Sequence, residues 1–146
     1  MDKLKINFKD PATLATLGGC LLVIIGSILP AAKVSFMGMS ESASLMQSGY
    51  NHHGIVHLIL AIAIIVVLVI DKKKIVMGLA AAEVIWCIND IRGVASDVND
   101  ANKIVKDAAS LGIGFWLIVI GAVAFVAAIV LMTLAEKKNA GAPAQQ

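Results

Sequence analysis

The run from Leu111 to Ala135, 25 residues without a charged side chain, constrains this chain more than any other feature. As a helix rising 1.5 Å per residue it is long enough to cross the roughly 30 Å hydrocarbon layer of a bilayer with tilt to spare. Composition excludes a water-soluble home for it. Of the 146 residues 59% are apolar and 15% charged, where soluble domains average about half and about a quarter. A chain this short holds one domain, with no room for a large soluble part beside several membrane crossings.

Three further runs have the dimensions of spans. Asp10-Pro11 offers a helix start, Asp as cap and Pro at the first helical position. Residues 11–29 then carry no charge before Pro30 and Lys33. The lysine-bearing start followed by an apolar stretch and Ala31-Ala32 imitates a secretory signal, but the stretch is longer than a signal's apolar region and contains glycines suited to helix packing, which favours a span. The second run is dense in Ile, Leu and Val and ends at Asp71-Lys72-Lys73-Lys74. The third, 75–92, is interrupted by Glu83, Asn89 and Asp90, and charge asymmetry supports counting it. With four spans, eight lysines (3, 5, 9, 72, 73, 74, 137, 138) fall on one side, against Lys33, Arg92, Lys103 and Lys106 on the other. Short loops rich in Lys and Arg stay cytoplasmic. The expected architecture is thus an all-α bundle of four transmembrane helices within residues 1–138, with spans at about 11–30, 54–70, 75–92 and 111–135. The protein would be multi-pass in a bacterial plasma membrane, with both termini cytoplasmic. Residues 139–146, small and polar, are expected to be a disordered tail.

The outer loops differ. Residues 31–53 show no firm period and suit an interfacial loop or a short ribbon. In 94–108, Val94, Val98, Ala101, Val105 and Ala108 recur at alternating four and three with polar residues between them, the pattern of an amphipathic helix. The third helix is therefore expected to extend outside the membrane and fold its apolar stripe onto the outer loop as a cap.

Helices associate in lipid where small residues allow close backbone approach. Gly19 and Gly26 share one face of the first helix; Gly114, Gly121 and Ala128 share one face of the fourth. Gly78 and Ala82, four apart, supply the same signal on the third. All are read as helix-packing positions.

Glu83 lies eight residues beyond Ile75, about 12 Å into the membrane. Cys87 at i+4 and Asp90 at i+7 share its face, and Arg92 flanks it, giving an intramembrane polar stripe. Ionisable groups at such depth face the interior and pair, or mark a path for ions or protons. Two readings follow. Glu83 is neutral and bonded to a hydroxyl or carbonyl of a neighbouring helix while Arg92 pairs Asp90, or Glu83 and Asp90 line a path. His52, His53 and His57 are candidate metal ligands, His53 and His57 being i and i+4 at the mouth of the second helix. Structural zinc sites take four N or S ligands, so an interfacial histidine pair without metal is expected, and no cofactor. Cys20 and Cys87 make no disulfide framework and read as packing residues. Tyr50, Trp86 and Trp116 fit an aromatic belt.

No phosphate loop, paired His-Glu metallopeptidase spacing or nucleophile with an evident base is present, so no enzyme is expected. Gly26-Ser27-Ile28-Leu29-Pro30 with Lys33-Val34, and Gly112-Ile113-Gly114-Phe115-Trp116-Leu117 opening the last span, resemble small tetraspan integral membrane proteins of bacteria. The layout, with a longer first outer loop, is also similar to that of claudins. Residues 31–53 contain neither the Trp nor the Cys pair of the claudin signature, so no claudin function transfers. The expected role is a structural or accessory membrane subunit, the alternative a small oligomeric channel or transporter subunit. Its partners would be the lipid bilayer and a second copy or another membrane protein, with no role for nucleic acid.

Overall fold

The computed structural model describes residue 6 and residues 8–46 and 53–141. Four helices dominate: α1 (Pro11–Ile28), α2 (His53–Val69), α3 (Lys73–Ile104) and α4 (Ile113–Gly141), with three short strands, β1 (Ala32–Phe36), β2 (Met39–Ala43) and β3 (Ala109–Leu111). The main helix contacts run α1–α2, α2–α3, α3–α4 and α1–α4, the last being the most extensive. Two helices, Pro11–Ile28 and Ile113–Lys138, are long and apolar enough to cross a membrane; His53–Val69 is a shorter apolar helix.

Local chemistry fixes the helix ends. Asp10 caps α1, its carboxylate accepting from the Ala12 N–H at 3.4 Å and from the Thr13 hydroxyl at 2.9 Å. Pro30 forces the residue before it out of helical geometry, and Leu29 is extended at φ −75°, ψ 157°. The buried hydroxyls of Thr16 and Ser27 donate back to the carbonyls of Ala12 and Val23, both at 2.7 Å, so neither is left unsatisfied. Between α2 and α3 the chain reverses through Asp71, left-handed at φ 56°. The Asp71 N–H reaches the Leu68 carbonyl and the Lys72 N–H the Val67 carbonyl, which closes α2 in the paired bonds of a Schellman cap.

The sheet corrects the all-α expectation. Strand order is β2-β1-β3, antiparallel throughout. β1 and β2 join through Met37 and Gly38, both left-handed at φ 50° and 81°, as a two-residue hairpin turn requires. From Lys33 to Ser42 the hairpin residues are exposed, so neither face imposes the alternation by which a half-buried strand is recognised in sequence. The sheet ties the helix ends together: Gly112 N–H bonds the Ala31 carbonyl at 2.8 Å and Gly114 N–H the Pro30 carbonyl at 2.9 Å.

α3 is one continuous helix of 32 residues, about 48 Å long. Its inward face is Val76, Ala80, Glu83, Cys87, Asp90 and Val94, all buried, at alternating spacings of four and three. The helix stops at Ile104, short of the periodic run that reaches Ala108. Val105 turns extended and residues 109–111 pair with the open edge of β1, which satisfies their backbone groups in a sheet instead of a further helical turn. Asn102 fixes this exit, accepting from the Ala109 N–H at 2.8 Å and donating to its carbonyl at 3.0 Å. α4 likewise continues to Gly141, three residues into the stretch expected to be a tail.

The glycines of α1 and α4 meet. A methyl on Gly26 would stand 2.9 Å from the Gly114 carbonyl oxygen; on Gly19, 3.2 Å from the Phe125 ring; on Gly121, 2.7 Å from a Val23 methyl. A methyl on Gly114 would strike the Leu29 and Gly26 carbonyls, and Ala128 is buried. Gly78 and Ala82 require correction as packing positions. Both are exposed and Gly78 has nothing within 4 Å of its added methyl. They lie about 200° around the helix from Ala80, on the side opposite the buried face.

Candidate functional site

The antiparallel α2–α3 pair brings three separated sequence signals into one buried cluster. His57 projects from α2; Glu83, Cys87 and Asp90 project from successive turns of α3. His57 Nδ1 lies 2.5 Å from Glu83 Oε1 and its Nε2 lies 2.7 Å from Asp90 Oδ2. Asp90 Oδ1 lies 2.6 Å from Nδ1 of His53, one helical turn from His57. Cys87 Sγ is 4.0 Å from His57 Nδ1 and 3.9 Å from Glu83 Oε1. His57, Glu83 and Cys87 are fully buried and Asp90 is nearly so, while the His53 side chain is 28% exposed. The cluster thus opens at His53 and ends blind at Glu83.

Mutual pairing accounts for its survival away from water, where a buried ionisable group must be partnered. Each of the three His–carboxylate contacts requires one shared proton, and both nitrogens of His57 are engaged. Two buried side-chain atoms remain unsatisfied: Glu83 Oε2 and Trp86 Nε1 have no hydrogen-bond partner among the described residues. The Trp86 ring packs on His53, centroids 5.3 Å apart at 56°.

The polar stripe of α3 is therefore partly joined. Glu83, Cys87 and Asp90 share the cluster. Arg92 does not belong to it. It is exposed, and Asp90 pairs with His53 and His57 in place of the Arg92 contact expected from proximity in sequence; two residues apart on a helix, 90 and 92 point about 200° apart. Glu83, expected to bond a hydroxyl or a backbone carbonyl, meets an imidazole instead. Of the candidate metal ligands, His52 lies outside the described residues, His53 faces Asp90, and His57 sits with Glu83 and Cys87 in a three-donor group whose atoms are all within 4.8 Å of one another. Cys20 is buried, its Sγ 3.7 Å from the Ala61 carbonyl. Trp116 is exposed beside Phe115; Tyr50 lies outside the described residues.

The cross-helix pairing had a sequence signal in the turn. His57 lies fourteen residues before Asp71, and Glu83 and Cys87 lie twelve and sixteen after it. Two antiparallel helices leaving one tight turn put equal distances level, so His57 falls between Glu83 and Cys87. Comparison with protein families, characterised proteins and solved structures brings no match, and the functional reading rests on this geometry.

Proposed function

We propose that this chain is a non-enzymatic, four-span integral protein of a bacterial plasma membrane, with both termini cytoplasmic, serving as a small structural or accessory subunit. One observation carries the reading: large apolar side chains face outward along all four helices. Leu21, Ile59, Ile85 and Val123 are among the most exposed large side chains of their four helices, while His57, Glu83 and Asp90 are interior. A lipid solvent accommodates that surface; water does not. On α3 the outward apolar residues Ile75, Ile85 and Ile88 are followed by the exposed polar residues Asn89 and Arg92, where this reading puts the membrane boundary. The last turns of α3 and the sheet then form a cap outside. The His–carboxylate cluster on this reading clamps α2 to α3.

Membrane fractionation joined to cysteine accessibility tests the reading. A cysteine at Ser42 should be labelled from outside intact cells, and external protease should spare the C-terminal tail. Labelling only from the cytoplasmic side, or recovery in the soluble fraction, overturns it. A second reading, a small oligomeric channel or transporter subunit, draws on the continuous His53–Asp90–His57–Glu83 chain leading inward from a partly exposed ring. In proteoliposomes the accessory reading expects no flux from wild type or Glu83→Gln, whereas a pH-dependent flux lost in Glu83→Gln would favour the channel.

A further inference from the structure

We propose that His57, Glu83 and Cys87 form a binding site for a divalent transition-metal ion of the zinc type, with Asp90 holding His57 in orientation and His53 at the mouth. The donor chemistry selects the ion. Thiolate and imidazole favour zinc and its first-row neighbours over magnesium or calcium, and one carboxylate is compatible with them.

The geometry is close to what such an ion needs. With bonds of about 2.0 Å to N and O and 2.3 Å to S, tetrahedral donors stand roughly 3.3 to 3.5 Å apart. The two edges to Cys87 Sγ, 4.0 and 3.9 Å, close by about half an ångström under that geometry, and the 2.5 Å edge between His57 Nδ1 and Glu83 Oε1 opens by somewhat less than one. Rotation about side-chain torsions supplies movements of that size.

One feature points to an ion in addition to the donor set, and a second suits it. Glu83 Oε2 is buried with no hydrogen-bond partner among the described residues, a cost that a cation held by the same carboxylate would offset. His57, whose Nδ1 would face the ion, also has its other nitrogen 2.7 Å from Asp90 Oδ2. That is the outer carboxylate that metal-ligating histidines characteristically use to fix tautomer and ring orientation. Asp90 is itself held by His53, whose partial exposure provides an access route.

The charges balance. One M²⁺ displaces the proton shared by His57 Nδ1 and Glu83 Oε1 and the proton of the Cys87 thiol; His57 Nε2 keeps its proton toward Asp90. Two positive charges enter and two leave, so occupancy adds no net charge to an interior that could not tolerate it. No oxidation or reduction is involved. The three protein ligands leave a fourth position for water or an exchanging ligand, as in open zinc sites.

Titration of the full-length protein in detergent with Co²⁺ is the test. One equivalent should bind, with a thiolate-to-cobalt charge-transfer band and tetrahedral ligand-field bands that Zn²⁺ removes. Cys87→Ser should lose the charge-transfer band, Cys20→Ser should keep it, and Asp90→Asn should weaken binding roughly 10- to 100-fold. Absence of stoichiometric binding by folded wild-type protein, a band that persists in Cys87→Ser, or one lost in Cys20→Ser would overturn the proposal. Should Cys87→Ser not fold, the wild-type and Cys20→Ser titrations decide alone, and neither depends on whether the protein is an accessory subunit.

Discussion

The α1–α4 and α2–α3 seams solve the same problem with opposite materials. Across α1–α4 the contact is made by absence of side chain: Gly19, Gly26, Gly114 and Gly121 bring the backbones together, and Phe125, Ile118 and Val23 fill what is left. Across α2–α3 the distinctive contact is polar, with His57 between Glu83 and Asp90 among apolar neighbours such as Ala61, Ile64, Val76 and Ala80. On the membrane reading proposed above, an apolar side chain gains little by leaving lipid for a neighbouring helix, so each pair needs a specific reason to associate. One seam has close backbones, the other a buried set of partnered ionisable side chains.

Removing the shared cation should have the largest effect. His57→Leu leaves Glu83 and Asp90 buried without their common partner, and loss of one member of a buried ionic set costs roughly 3–5 kcal/mol. Unfolding in detergent should show that loss, and the triple variant with Leu at His57, Glu83 and Asp90 should recover most of it, since an apolar replacement of a whole buried set is near neutral. A triple variant as unstable as the single one would show that charge is not what holds the seam.

Next in size is the opposite seam. Gly114→Ala drives a methyl into the Leu29 and Gly26 carbonyls, which cannot rotate away, and should cost about 1–3 kcal/mol. Gly121→Ala meets a Val23 methyl, which can, and should cost less. Equal melting temperatures for the two would break the distinction between backbone and side-chain contact.

Asn102→Ala removes both bonds to Ala109 and should lose about 1–2 kcal/mol. Amide exchange should accelerate at 109–111 and leave α1 unaffected. Gly78→Ala should have the smallest effect, a gain below about 1 kcal/mol from helix propensity, because the position is open. A clear loss there would place a second chain against that face.

Charge-free runs made α1, α2 and α4 legible to within a few residues. The extension of α3 was legible too, because Val94 and Val98 keep the apolar period beyond Asp90. Its stopping point was not, since the competitor for residues 105–111 is the edge of a strand remote in sequence. The exposed hairpin has no buried face to print a pattern. Gly78 and Ala82 misled because their spacing says that two small residues share a face but not which face the fold turns inward. At the site, Glu83, Cys87 and Asp90 emerged from i, i+4, i+7 spacing within one helix. Their pairing with His57 depends on helix-to-helix register, which only the distance from Asp71 encodes.

Because α1 and α4 are the first and last helices, their seam spans nearly the whole chain, whereas the α2–α3 hairpin closes around a turn of three residues. During synthesis the hairpin can form while α4 is still unmade. The glycine face of α1 has no partner until Gly112 and Gly114 are translated and bond Ala31 and Pro30. The most extensive helix contact in the finished protein is therefore the last to be made. A chain interrupted before residue 112 would have its polar hairpin assembled and the glycine face of its first helix still uncovered.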